Sequence, residues 1–345
     1  MESMPNPDHP PRVELHLHLE GAIPLPALWE LIRKYGGDTS VPDLASLRRR
    51  FAYRDFPHFI ETWIWKNGFL REFEDFTFIA EQVARDLMEQ NIVYAEAHYS
   101  PAGFAETGLS IQEITRAVRS GLDRVPGIEV ALIGDLIRDL GPETAARTLA
   151  ALHESKDMGV VGIGLGGSEH AHPPELFREV YAEARRMGFH ATAHAGEAAG
   201  AGSIWSALRN LNVERIGHGT RAEEDPALPD YLAQKQIPLE MCPLSNVATG
   251  IVDRIEDHPI RRYFDRGLLV TVSTDDPKMF GNDLAGEYRT LRDVFGFTPE
   301  EIRIVEENSV KASWLDDGRK RSILKRMREY RSGGKPSDGT GHSGV

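Results

Sequence analysis

Apolar and polar positions alternate along residues 13–22, VELHLHLEGA. On a strand, side chains two apart share a face. Val13, Leu15, Leu17 and Leu19 therefore face one way, and Glu14, His16, His18 and Glu20 the other. Seven further short runs rich in Val, Ile and Leu read as strands: 92–99, 128–136, 160–165, 189–194, 214–218, 237–241 and 268–273. Helical periodicity separates them at 75–90, 110–124, 142–158, 174–187 and 202–211. Ser110 with Glu113 three residues on is a helix-start signal, Asp75 precedes an apolar series, and Pro142 suits a first helical turn. From the second run on, starts recur every ~25–35 residues, as in βα repeats. An open doubly wound sheet would favour a glycine-rich phosphate loop after the first strand; none follows residue 19. The pattern predicts a closed (β/α)8 TIM barrel over residues 12–330. Extra helices follow its first strand at 25–35 and 56–70, the latter with Phe56, Phe59, Trp63, Trp65 and Phe69 as a possible lid or core face.

Composition narrows the partners. The chain has 345 residues, 41% hydrophobic and 27% charged, with net charge −13. An acidic balance argues against a polyanion such as nucleic acid, whose phosphates are met by Lys and Arg patches, but not against a small nucleoside. No run of about 18 apolar residues is present, so no membrane span is expected. A single cysteine, Cys242, excludes an intrachain disulfide and, with no apolar leader, suggests the cytoplasm. Residues 1–11 read as an arm. The Gly/Ser-rich 331–345 read as a disordered tail. Oligomeric state is not legible.

The chemistry lies at the strand ends, which meet at one rim of such a barrel. There stand His16, His18 and Glu20, then Gly166, Gly167 and Glu169 of GLGGSE. Next come His194 and Glu197 of HAGE, His218 of GHG, and Asp275 and Asp276 of STDDP. Each has an ordinary reading alone: His-x-His as hydrogen-bonded strand ends, Asp-Asp-Pro as a turn, Glu197 as a helix-start acid. Their shared placement is the signal. Histidines with one carboxylate suit a catalytic zinc, which brings the pKa of water toward neutrality.

The motifs ELHLHLEGA, HAGE, RIGHGT, EMCPLSN and STDDP, in this order over roughly residues 12–315, resemble the adenosine deaminase family of the amidohydrolase superfamily. The resemblance implies a (β/α)8 barrel that hydrolyses the 6-amino group of a purine. It implies one zinc per chain on His16, His18, His194 and Asp275. Glu197 would protonate a ring nitrogen, and His218 would orient the attacking water. Asp276 would bind that water and the departing amine, and the Gly167 N–H would hold the opposite ring nitrogen. His18, Glu20, Gly167 and Asp276 are expected to touch the substrate. Glu20 stands where adenosine deaminases carry Asp, and Gly164 where they tend to carry an acid. Both features are closer to adenine and aminodeoxyfutalosine deaminases. A Glu reaches ~1.5 Å further than Asp. The expected reaction is deamination of a 6-aminopurine nucleoside, adenosine or a similar compound, to the 6-oxo purine and ammonia. The alternatives are an adenine or aminodeoxyfutalosine deaminase, another metal hydrolase on the same barrel, and a non-catalytic purine-binding barrel. The other hydrolase is weakened by the lack of a lysine at the fourth strand end. The non-catalytic barrel would have no reason to retain so many polar groups.

Overall fold

The computed structural model describes residues 10–54 and 56–333. Most of the expected arm and tail lies outside these residues. Eight parallel strands pair in chain order: β1 (Arg12–His18), β2 (Ile92–Tyr99), β3 (Glu129–Asp135), β4 (Val160–Gly164), β5 (His190–Ala195), β6 (Arg215–His218), β7 (Leu239–Met241) and β8 (Val270–Val272). The ring closes just past β8. His18 N donates to the Asp275 carbonyl (2.8 Å), and Asp275 N donates to the His16 carbonyl (2.9 Å). The backbone that closes the barrel thus belongs to three of the expected metal ligands.

The predicted strands all form, with shorter seventh and eighth members. In the run at 237–241, Pro238 has no N–H to donate and joins the ladder only through its carbonyl, which accepts from Ile216 N (3.0 Å), so β7 starts at Leu239. Leu268 N is spent on the Tyr263 carbonyl in a turn, so β8 starts at Val270. Between β1 and β2 lie α1 (Leu25–Lys34), α2 (Leu44–Arg50), α3 (Phe56–Asn67) and α4 (Phe73–Glu89). The short α2, started by Asp43 accepting from Ser46 N (2.6 Å), was not legible as a helix. α4 begins two residues before Asp75. Asp75 lies in its first turn and accepts from Glu72 N (3.0 Å). α5 (Ile111–Leu122) has the expected reciprocal cap of Ser110 and Glu113. The stretch 202–211 is α-helical only to Ser206; Ala207–Leu211 widen into a π turn.

On β1, Leu17 belongs to the main core shared with the outer helices. Val13 and Leu15 pack with Val310, Ile323 and Met327 from the last two helices. The opposite set of β1 faces the barrel interior, where Glu14 meets Thr274 and His16 meets Glu240.

Glu287 gives a pH prediction. It is fully buried and accepts from Asn282 Nδ2 (2.8 Å). Burial pushes its carboxyl up from 4.5 to about 8. Between those values the unfolded chain releases this proton while the folded chain keeps it, so stability falls as pH rises across the window. Glu287→Gln removes the penalty. Its Tm relative to wild type should rise by about 2 °C or more from pH 5 to pH 8.5 in thermal melts; a pH-independent difference would refute the assignment.

Candidate metal centre and active site

Four ring and carboxylate atoms converge at the rim. His194 Nε2 lies 3.1 Å from His16 Nε2 and 3.1 Å from His18 Nε2. Asp275 Oδ1 lies 3.5 Å from the former and 3.3 Å from the latter. Donors about 2.0–2.1 Å from a tetrahedral ion are about 3.3 Å apart; these spacings come near that, and the four buried donors that all lie close to one another are those of His16, His194, His218 and Asp275, with His18 set beside His194 and Asp275. The tautomers agree. His16 Nδ1–H donates to Glu240 Oε2 (2.9 Å), so Nε2 is the atom that faces His194. Burial, then the neighbouring His16 and His18, hold His194 well below the ordinary histidine pKa and therefore neutral. Ring nitrogens 3.1 Å apart need a shared proton or a cation between them. Burial opposes charge on His16, but Asp275 and Glu240 outweigh it and raise its pKa to about 10, which marks a place built for positive charge.

Backbone strain accompanies this geometry. His218 (φ +62°) and Asp275 (φ +66°) are both in the left-handed region, which non-glycine residues occupy at a cost, typically where function demands it.

Carboxylates and amides behind these side chains fix their orientation. Glu240 on β7 also pairs with Arg215 Nε, whose Nη1 pairs with Glu96 at 2.6 Å. Burial opposes ionisation of Glu240, but Arg215 and His16 bring its pKa to about 2. Ser245 Oγ donates to Asp275 Oδ2 (2.6 Å). Asn246 Oδ1 accepts from Thr220 (2.9 Å), so its amide Nδ2 donates to His218 Nδ1 (3.2 Å) and leaves the proton of His218 on Nε2. Glu169 accepts from the backbone N–H of Gly196, Glu197 and Ala199, holding the HAGE loop. Such outer partners commonly control metal affinity by 10–100-fold. Glu240→Gln should weaken metal binding about tenfold or more in a chelator competition, with the fold retained; unchanged affinity would refute its role.

Glu197 and Asp276 complete the rim. Glu197 Oε2 is 3.6 Å from His218 Nε2. Burial, then the charges of Asp275 and Glu169, push the Glu197 carboxyl well above the usual range. Asp276 is raised likewise by burial and by Asp275, and its Oδ1 has no partner among the described residues. Gly21 makes room for it: a Cβ there would lie 1.7 Å from Asp276 Oδ1. A cavity of about 860 Å³ opens above these groups. His18, Gly167, His194, Glu197, His218, Asp275 and Asp276 line it. Gly167 has φ +104°, a conformation open to glycine.

Helix α3 supplies one wall through Phe59, Ile60, Trp63 and Ile64. Trp65 points elsewhere, donating to Asp38 (2.9 Å), and the Phe56 side chain lies outside the described set. Glu20 is buried but does not line the cavity: Oε1 accepts from Ser100 N (2.9 Å). Beside it Lys66, also buried, donates to the Glu20 carbonyl (2.7 Å) and pins α3 to the end of β1. Burial lowers the pKa of Lys66 to about 8.

Sequence reasoning assigned no role to Glu240, Ser245, Asn246, Arg138, Lys66, His98 or Asp135. The motif EMCPLSN did contain three of them, but a motif does not show that Ser245 reaches Asp275. Arg138 carried no signal: buried, it donates to the His172 and His194 carbonyls.

The family model "Adenosine deaminase" matches residues 11–330. An adenine deaminase of Bordetella parapertussis is 36% identical over 88% of this chain and 96% of its own length. An adenosine deaminase of Erwinia tasmaniensis is 34% identical over 92% and 98%. An aminodeoxyfutalosine deaminase of Streptomyces avermitilis is 34% identical over 93% and 91%. Among solved structures, the adenine deaminase of Arthrobacter aurescens superposes with a TM-score of 0.89 at 30% identity, over 94% of this chain and 100% of that one. Closed barrel, histidine–aspartate cage and these likenesses converge: the chain is a member of the adenosine deaminase family within the amidohydrolase superfamily, deaminases of adenine- and adenosine-type substrates.

Proposed function

We propose that this protein is a zinc-dependent deaminase that converts a 6-aminopurine nucleoside, adenosine or a close analogue, and water into the 6-oxo purine and ammonia. His16, His18, His194 and Asp275 would hold one zinc, which when bound supplies an activated water and Lewis acidity. The observation that carries the reading is Glu197. It is buried, its carboxyl is raised by burial, and it stands at the rim beside the histidine–aspartate cluster and 3.6 Å from His218 Nε2, where an acid for a ring nitrogen would stand. Protonation of N1 makes C6 electrophilic. His218, with its proton on Nε2, donates to the oxygen that adds at C6. Asp276, as the carboxylate, accepts one proton from that water and passes it to the amine, and the remaining hydroxyl proton returns to Glu197 as the C6–N bond breaks, so nitrogen leaves as ammonia. The Gly167 N–H holds N3, and Glu20 stands behind the wall that meets the sugar side.

The cavity volume lies near the upper end of small-molecule sites and suits a nucleoside better than a bare base. The adenine deaminase likenesses favour free adenine as the second reading. Ammonia release and the purine absorbance change separate them, with adenosine, 2′-deoxyadenosine, adenine, N6-methyl-AMP and aminodeoxyfutalosine as substrates. The highest kcat/KM is expected on a nucleoside. Adenine alone turning over would establish the second reading, and turnover of none would remove both.

A further inference from the structure

Asp135 at the end of β3 has no role in the chemistry above, yet it lines the cavity beside His18, Ser100, Gly166 and Gly167. It is 3% exposed. Its Oδ1 has no hydrogen-bond partner among the described residues, and His98 Nδ1 stays 3.7 Å away. Its Oδ2 receives only a long contact from Ser100 Oγ at 3.4 Å. A buried carboxylate with this much spare acceptor capacity is costly unless a donor arrives.

The neighbouring strand is cut away to seat it. A Cβ on Gly164 would lie 2.7 Å from Asp135 Oδ1, and one on Gly166 would lie 2.7 Å from Oδ2. Any larger residue at either position would displace the carboxylate. Glu20, the acid expected from the sequence to reach the substrate, has one oxygen tied to Ser100 N and the other without a partner among the described residues, but unlike Asp135 it is absent from the cavity wall.

We propose that Asp135, not Glu20, is the substrate-binding carboxylate on the N9 side of the purine, where it accepts a hydrogen bond from a sugar hydroxyl or, in a free base, from N9–H. This rests on the proposed function. With N1 at Glu197, N3 at Gly167 and the amine edge at Asp276, the ring edge left for a residue adjoining Gly166 is the one bearing N9. Asp135 is thereby a specificity determinant, and β3 supplies what β1 was expected to supply.

The test compares wild type, Asp135→Ala and Asp135→Asn on adenosine, its 2′-, 3′- and 5′-deoxy analogues, adenine and 9-methyladenine, with metal content and Tm measured for each protein. In wild type, removing the donor that Asp135 meets should cost about 10–100-fold in kcat/KM, mostly through KM. In Asp135→Ala that penalty should shrink to about threefold or less, because the intact substrate falls to the level of its analogue. Turnover of 9-methyladenine, which brings no donor, should change little. Calorimetric binding of the 6-oxo product nucleosides should show the same loss. Should the alanine variant fail to fold, the isosteric asparagine carries the comparison, with a smaller penalty than wild type. Equal discrimination in wild type and variants would overturn the proposal while leaving the deaminase reading intact. So would a uniform fall in kcat on every substrate, 9-methyladenine included. A wild type that neither binds nor deaminates any of these purines would overturn both.

Discussion

Replacing Glu197 with glutamine is expected to lower kcat by about 10²–10⁴-fold while the metal stays bound. The carboxyl is buried, and burial with the charges of Asp275 and Glu169 favours its protonated form. An amide of the same shape can still donate a hydrogen bond to a ring nitrogen, but it cannot give up a proton there. The loss should therefore fall on kcat more than on KM, since protonation of the ring matters most as the water adds. Steady-state kinetics on the best substrate of the panel, with zinc content measured in parallel, check this. A variant that holds its metal and turns over within threefold of wild type would take Glu197 out of the reaction.

His194→Ala is expected to have an effect of similar or greater size by a different route. His194 Nε2 is the atom that stands 3.1 Å from both other ring nitrogens, so its removal opens the cage at its centre. It should leave the protein with well under one zinc per chain after dialysis. Activity should fall about 10³-fold or more, in line with the several kcal/mol a catalytic metal contributes. Excess zinc should restore little, because three donors remain where four defined the geometry. Metal analysis separates this variant from Glu197→Gln: the first loses the ion, the second keeps it.

What could be read from the sequence was whatever local periodicity encodes. The alternation at 13–19 gave both a strand and the side on which Glu14 and His16 stand, and that side holds although the pairing with β2 shifts register between Glu14 and Leu17. The barrel rule then brought His194, Glu197, His218, Asp275 and Asp276 to the same rim. Interactions between distant strands were not readable. Glu240 meets His16 across 224 residues of chain, and nothing near Glu240 marks it as anything but a polar residue in a short strand. Asp135 is similar: its meaning depends on two glycines of the neighbouring strand that happen to vacate its seat. Glu20 shows the limit of residue-by-residue analogy. The position was rightly placed at the end of β1, but Ser100 N holds one oxygen of the longer carboxylate and Lys66 pins the Glu20 carbonyl, and the side chain stays behind the wall. The π turn at Ala207–Leu211 and the early start of α4 are errors of ends, where capping and tertiary packing outweigh propensity.

The most direct test of the metal centre is anomalous diffraction at the zinc edge from crystals of the zinc-loaded protein. One strong peak per chain is predicted, about 2.0–2.2 Å from Nε2 of His16, His18 and His194 and from a carboxylate oxygen of Asp275. A peak elsewhere, or none between those four side chains at full zinc loading, would contradict it.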